Sequence, residues 1–185
     1  MIDTIQKDAA DKMQHAVDFV REDMATIRTG RAHPAMFNKI NAEYYGAPTP
    51  LQQLASFTVP EARVLMISPF DKSSLHSIER ALRDSDFGGN PSNDGNIIRI
   101  VLPELTQERR KEYIKVAHRK GEDAKVAIRN VRRHAMQDLD KLIKDGEVGE
   151  DDGKRGEKDL DATTKKFVEQ VDEMMKHKEA ELLEV

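Results

Sequence analysis

Residues 125–133, Lys125-Val126-Ala127-Ile128-Arg129-Asn130-Val131-Arg132-Arg133, decide the fold. They lie inside a longer pattern from Leu105 to Lys144. In it Ile114, Ala117, Gly121, Ala124, Ile128, Val131, Ala135, Leu139 and Leu142 recur at steps of three and four. Such stepping is the seam of a helix packed lengthwise against other helices. At about 100° per residue, Lys125, Arg129, Arg132 and Arg133 crowd a sector roughly 100° wide beside that seam. No carboxylate falls between Asp123 and Asp138. The stretch therefore predicts a long helix with four cations that nothing nearby on the same helix neutralises.

Two further seams flank this one. Ile2, Ile5, Ala9, Met13, Ala16, Val20, Met24 and Ile27 predict an opening helix of about 27 residues, roughly 40 Å long, stopped by Gly30 and kept from restarting by Pro34. Leu160, Thr164, Phe167, Val171, Met174, Lys178, Leu182 and Val185 predict a third helix, opened by the acidic segment Glu150–Asp152. Gly153 and Gly156 each cost about 1 kcal/mol relative to Ala, so the start of that helix is expected to fray. On the central helix Thr106 is the expected N-cap, Glu108 suits the first turn, and Gly146 and Gly149 close the far end.

All seven prolines (Pro34, Pro48, Pro50, Pro60, Pro69, Pro91, Pro103) fall between the first and second seams. A proline inside a helix costs about 3 kcal/mol, so this interval reads as a separate unit. Strands are expected at Ile40–Tyr44, Ser56–Val59, Val64–Ser68 and Ile97–Leu102, with turns at Tyr45-Gly-Ala-Pro and Gly88-Gly-Asn-Pro. One short helix, capped by Asp71 or Ser73, faces Leu75, Ile78 and Leu82 inward and ends near Asp86. The expectation is an L-shaped, two-domain α+β protein. Residues 1–30 plus 105–185 form a three-helix bundle, and residues 31–104 form an inserted α+β sandwich. Hinges are expected at Gly30 and Arg31 and at Pro103 and Glu104.

The formal net charge is −4 and charged residues are 35% of the chain. Divided along the sequence, only residues 105–145 are net positive; the windows 1–30, 31–104 and 146–185 are each net negative. Segregation of this kind speaks to partners more than the sum does. With no cysteine there is no disulfide or thiolate zinc staple, and the chain suits a reducing cytoplasm. No signal peptide and no membrane span are read. There is no Gly-x-x-x-x-Gly-Lys-Ser/Thr loop to cradle a nucleotide. The six histidines make no pair at metal-ligand spacing. Neither a catalytic residue, nor a metal, nor a cofactor is expected.

The segments Ile27-Arg-Thr-Gly-Arg31, Glu43-Tyr-Tyr-Gly46, Pro48-Thr-Pro-Leu51, Gln53-Leu-Ala-Ser56, Asn90-Pro91, Leu105-Thr-Gln-Glu-Arg-Arg-Lys111 and Val126-Ala-Ile-Arg-Asn-Val-Arg-Arg133 resemble those of the bacterial ribosome recycling factors in content, order and spacing. The resemblance implies a monomeric cytoplasmic translation factor that binds the large subunit across the A and P sites after termination. It implies that elongation factor G and GTP then help it split the ribosome into subunits. It implies contact with ribosomal RNA through the arginines matching Arg129, Arg132 and Arg133.

The residues themselves add Lys125 to that face. Arg28 reads equally as an RNA contact or as a tie between the domains. Arg110 is a further RNA candidate that Glu108 and Glu112 could instead satisfy. Tyr44 and Tyr45 read as packing residues beside a turn rather than as base-stacking ones. From pattern alone a coiled-coil adaptor and a helical-bundle RNA-binding chaperone remain open.

Overall fold

The computed structural model describes residues 1–184 except Asp86 and Gly88; Val185 is likewise outside the described residues. The expected end of the short helix near Asp86, the turn residue Gly88 and the last seam position Val185 therefore lie outside them. In chain order the helices are α1 (Ile2–Ala25), α2 (Leu51–Leu54), α3 (Leu75–Asp84), α4 (Gln107–Lys144) and α5 (Glu150–Leu183). The strands are β1 (Asn41–Tyr44), β2 (Ala47–Pro50), β3 (Ala55–Glu61), β4 (Val64–Pro69), β5 (Asn90–Asn93) and β6 (Ile98–Val101). Single 3-10 turns cover Pro34–Phe37 and Lys72–Ser74. The fold is α+β, rich in helix, with a small antiparallel sheet. It divides into two compact units: Met1–Met24 with Lys115–Glu179, and Ala25–Ile114 with the residues from Ala180 onward. Both α4 and α5 contribute to each unit.

The first unit is a three-helix bundle of α1, α4 and α5. Its core is built on the predicted seams: Ala9, Met13, Val20 and Met24 from α1, Ala117, Ala124, Ile128 and Leu139 from α4, and Leu160, Phe167 and Val171 from α5 are all buried. Val17 and Met175, which the seams omitted, are buried with them. Thr106 caps α4 as its residue type dictates, its Oγ1 accepting from the Arg109 amide at 3.1 Å. At the other end Gly146 takes a left-handed φ of 72°. Its amide donates to Ile143 while that of Glu147 donates to Leu142, a Schellman stop.

The expected fraying of α5 does not occur: the helix begins at Glu150 and runs through both glycines. Gly153 and Gly156 are buried. A methyl group on Gly153 would overlap the Ile143 side chain, and one on Gly156 would press against Ile2 and Leu139. The propensity cost is offset by close helix approach. The opening helix is also shorter than its pattern suggested, ending at Ala25. Ile27 and Arg28 are still buried, but they leave the helix to do so, and the β-branched residues around them (Thr26, Ile27, Thr29) make continuation unfavourable.

In the second unit β3-β4-β6-β5 form a four-stranded antiparallel sheet, and β1 and β2 form a separate hairpin. Phe37, Leu51, Leu65, Ile67, Ile78, Leu82, Ile98, Ile100 and Leu102 are fully buried between sheet, hairpin and α3. The four predicted strands are present with ends shifted by a residue or two. β2 and β5 were not expected, and their first residues, Ala47-Pro48 and Asn90-Pro91, fall where turns were read. Both are edge strands, where a missing amide is tolerated. The β1–β2 turn is Tyr45-Gly46, with φ of 49° and 78°, a type I′ loop whose twist suits a hairpin. Asp71 caps the 3-10 turn Lys72–Ser74 that leads into α3, accepting from the Ser73 amide at 2.9 Å, whereas α3 itself starts after Ser74 with no side-chain cap bond.

Candidate nucleic-acid interface

The four cations of residues 125–133 do not act alike. Arg129 and Arg133 are exposed, and no ion-pair partner for either is found among the described residues. Lys125 and Arg132 point toward α5 instead. The Lys125 ammonium lies 2.9 Å from Glu122 and 2.8 Å from Asp172. The hydrogen bond to Asp172 and then that to Glu122 raise its pKa. Arg132 Nε donates to Asp161 at 2.6 Å. The expectation that the helix leaves all four cations unneutralised is corrected for Lys125, which Glu122 meets from one turn back. Asp172 and Asp161 come from another helix, so spacing along α4 gave no sign of them. Arg132–Asp161 is a largely solvated pair, worth about 0.2–1 kcal/mol, so a phosphate can displace the carboxylate. Lys125 is held more closely and serves to tie α4 to α5.

Arg119 is a cation that the reading of the sequence passed over. It is exposed, has no ion-pair partner among the described residues, and precedes Arg133 by fourteen residues, close to four helical turns. That multiple is the signal that would have found it. Arg119, Arg129 and Arg133 are thus outward guanidiniums of α4, about 21 Å from first to last, and the exposed Lys111, Lys115, Lys141 and Lys144 extend the positive charge along the same helix. Val126, 52% exposed, falls on the same sector.

The two remaining candidates sit in the second unit. Arg28 is only 7% exposed. Its Nη2 donates to the Pro103 carbonyl, and its Nε is buried without a partner. Burial, and then the charges of Arg63 and Arg110, lower its pKa. Its contact lies within the second unit, where Arg28 pins the passage through Gly30 and Arg31 to the passage through Pro103 and Glu104. Arg110 is not satisfied by Glu108 or Glu112. Its guanidinium donates to the carbonyls of Leu182 at 2.7 Å, of Glu184, and of Leu105 at 3.4 Å, closing the C-terminal turn of α5, where the last carbonyls have no intrahelical partner. Neither arginine presents a free face for RNA.

Tyr44 packs on the core and donates to Asp71 Oδ2 at 2.9 Å, as a packing residue should. Tyr45 does not; it is 86% exposed at the hairpin tip. No helix among the described residues is long and apolar enough to cross a membrane. None of their His, Asp or Glu side chains gather in threes placed to hold a metal.

A three-helix bundle with outward guanidiniums, joined to a small antiparallel α+β unit, defines a two-unit α+β class of helical protein. Comparison with known proteins narrows the class. The ribosome recycling factor family model matches residues 20–183. The ribosome-recycling factors of Streptomyces coelicolor and Streptomyces avermitilis are 68% and 69% identical over 185 residues, covering all of both chains. A solution structure of a ribosome recycling factor superposes with a TM-score of 0.80 at 36% identity, covering 100% of this chain and 98% of the other. A second solved structure has a TM-score of 0.71 at 38% identity and full coverage of both chains; it describes the Thermus thermophilus recycling factor and the Escherichia coli elongation factor G bound to the Escherichia coli post-termination complex. This chain belongs to the ribosome recycling factor family, whose members are translation factors.

Proposed function

We propose that the chain acts on the ribosome after termination, lying along large-subunit ribosomal RNA across the A and P sites through the outward face of α4. Elongation factor G and GTP then drive separation of the subunits, with the second unit receiving the thrust. The observation that carries this reading is the pair Arg129 and Arg133, exposed and without an ion-pair partner among the described residues, on a long helix in a chain of this family. Guanidiniums fork onto phosphate oxygens, and a row spaced by whole turns can follow one RNA backbone. Arg132 joins them by exchanging Asp161 for phosphate. The net negative α5 disfavours RNA on the faces it covers. The expectation that Gly30, Arg31, Pro103 and Glu104 serve as hinge belongs to the same proposal.

Removing one phosphate-binding arginine should lower the slope of log affinity against log salt by about 0.7–0.9. Arg129→Ala and Arg133→Ala are expected to weaken binding to large subunits and reduce that slope, with unchanged thermal unfolding because both side chains are solvated. Cosedimentation over a salt series measures this. Unaltered affinity and slope in the double variant would remove RNA from the reading.

A further inference from the structure

Within the first unit, α1 and α4 leave an open groove of about 390 Å³ that the arginine row does not account for. Its floor is apolar: Ala16 and Val20 from α1, Val116, Ala124 and Ala127 from α4. Phe19 forms one wall and stands 69% exposed. Arg119 is on the lining. Of the two lining carboxylates, Asp23 is engaged by Lys120 at 2.7 Å, and Asp123 is exposed.

We propose that this groove receives one unstacked nucleobase of the RNA that lies along α4, its ring against Phe19 and the Arg119 guanidinium. The inference rests on the RNA-binding reading above and adds a stacking site to it. Single-stranded and looped RNA is recognised in this way, by bases splayed onto aromatic side chains and arginine planes. Charge decides between occupants. Arg119, Arg129 and Arg133 share the outward sector of α4, so a polyanion running along them passes the mouth of the groove. A second copy of this chain would set the same cations against one another. An apolar side chain of a protein would fill the floor and leave Arg119 without a counter-charge. The volume is at the low end of small-molecule sites and admits a single ring system. Asp123 is an acceptor suited to the exocyclic amine of adenine, guanine or cytosine.

The chain contains no tryptophan, so Phe19→Trp supplies a single tryptophan at the site, excited selectively over the three tyrosines. Large ribosomal subunits are the probe. Stacking predicts quenched emission on addition of subunits. It also predicts that Phe19→Leu and Phe19→Ala weaken binding roughly five- to a hundredfold with the salt slope unchanged, and that Phe19→Tyr restores it. Circular dichroism checks that each variant is folded. Brightened, blue-shifted emission, together with full binding by Phe19→Leu, would mean an apolar protein contact and overturn the proposal. Emission that changes with the protein's own concentration, without subunits, would mean self-association and overturn it too. Unchanged emission and affinity in the Phe19 variants, while Arg129→Ala and Arg133→Ala still weaken binding, would reject the stacking site and leave the RNA face standing. Loss of both effects would reject the RNA face itself.

Discussion

At the scale of single residues, the arginines separate by what surrounds them rather than by their type. Arg28 and Arg110 donate to carbonyls of Pro103, Leu105, Leu182 and Glu184, whereas Arg129 and Arg133 are exposed and make no ion pair among the described residues. Sequence spacing distinguishes these roles poorly, because the carbonyls lie up to seventy-five positions away. The candidate site was legible to the extent that it depends on a single helix, and illegible where α5 reaches across to take Lys125 and Arg132. Tyr44 and Asp71 make a second local pair with a measurable consequence. The hydrogen bond to the Asp71 carboxylate holds the Tyr44 phenol neutral up to about 12. Asp71 is held below the usual carboxylate range by the Ser73 hydroxyl, the Ser73 amide and then Tyr44. The raised tyrosine contributes stability that is complete below the unfolded value of about 10 and is lost as pH climbs toward 12. The lowered aspartate contributes stability that is present above about 4 and lost as pH falls through its folded value. Of the three tyrosines, one should ionise late in an ultraviolet pH titration, and that late step should vanish in Asp71→Asn. A titration unaltered by the substitution would show that the pair does not govern Tyr44.

At the scale of elements, the long helices were readable and the short strands only partly so. Seams at three- and four-residue steps locate α1, α4 and α5 because each buries one stripe along its length. β2 and β5 escaped because their prolines and polar residues describe a solvent edge, and edge strands carry little of the alternation that marks a strand. The glycines of α5 misled for a related reason: propensity is local, while the contact that justifies Gly153 comes from Ile143 on α4. Alanine at 153 would gain about 1 kcal/mol in helix propensity and lose about 1–3 kcal/mol to overpacking against a stiff β-branched neighbour. Gly153→Ala is therefore expected to lower stability in denaturant unfolding. The same change in an Ile143→Ala background should be neutral or stabilising, since the obstacle has gone. Equal effects in both backgrounds would separate the two positions.

For the whole molecule, the proposed splitting of ribosomes requires that the second unit move while the first stays bound. Because the chain has no cysteine, two introduced cysteines, one in each unit, form a reversible lock. The locked protein should bind large subunits normally and fail to separate them, with activity returning on reduction. Full splitting by the locked form would remove motion from the mechanism. One further consequence comes from the bundle core. Met175 fills the space left by Gly121, its sulfur lying where a methyl group on that glycine would be, and the residue is buried. Sulfoxidation would add a polar oxygen to a thioether already packed tightly against α4. The spacing that lets α4 and α5 approach so closely thus leaves this thioether no latitude: its conversion to the sulfoxide is expected to loosen the bundle, which thermal unfolding after peroxide treatment measures.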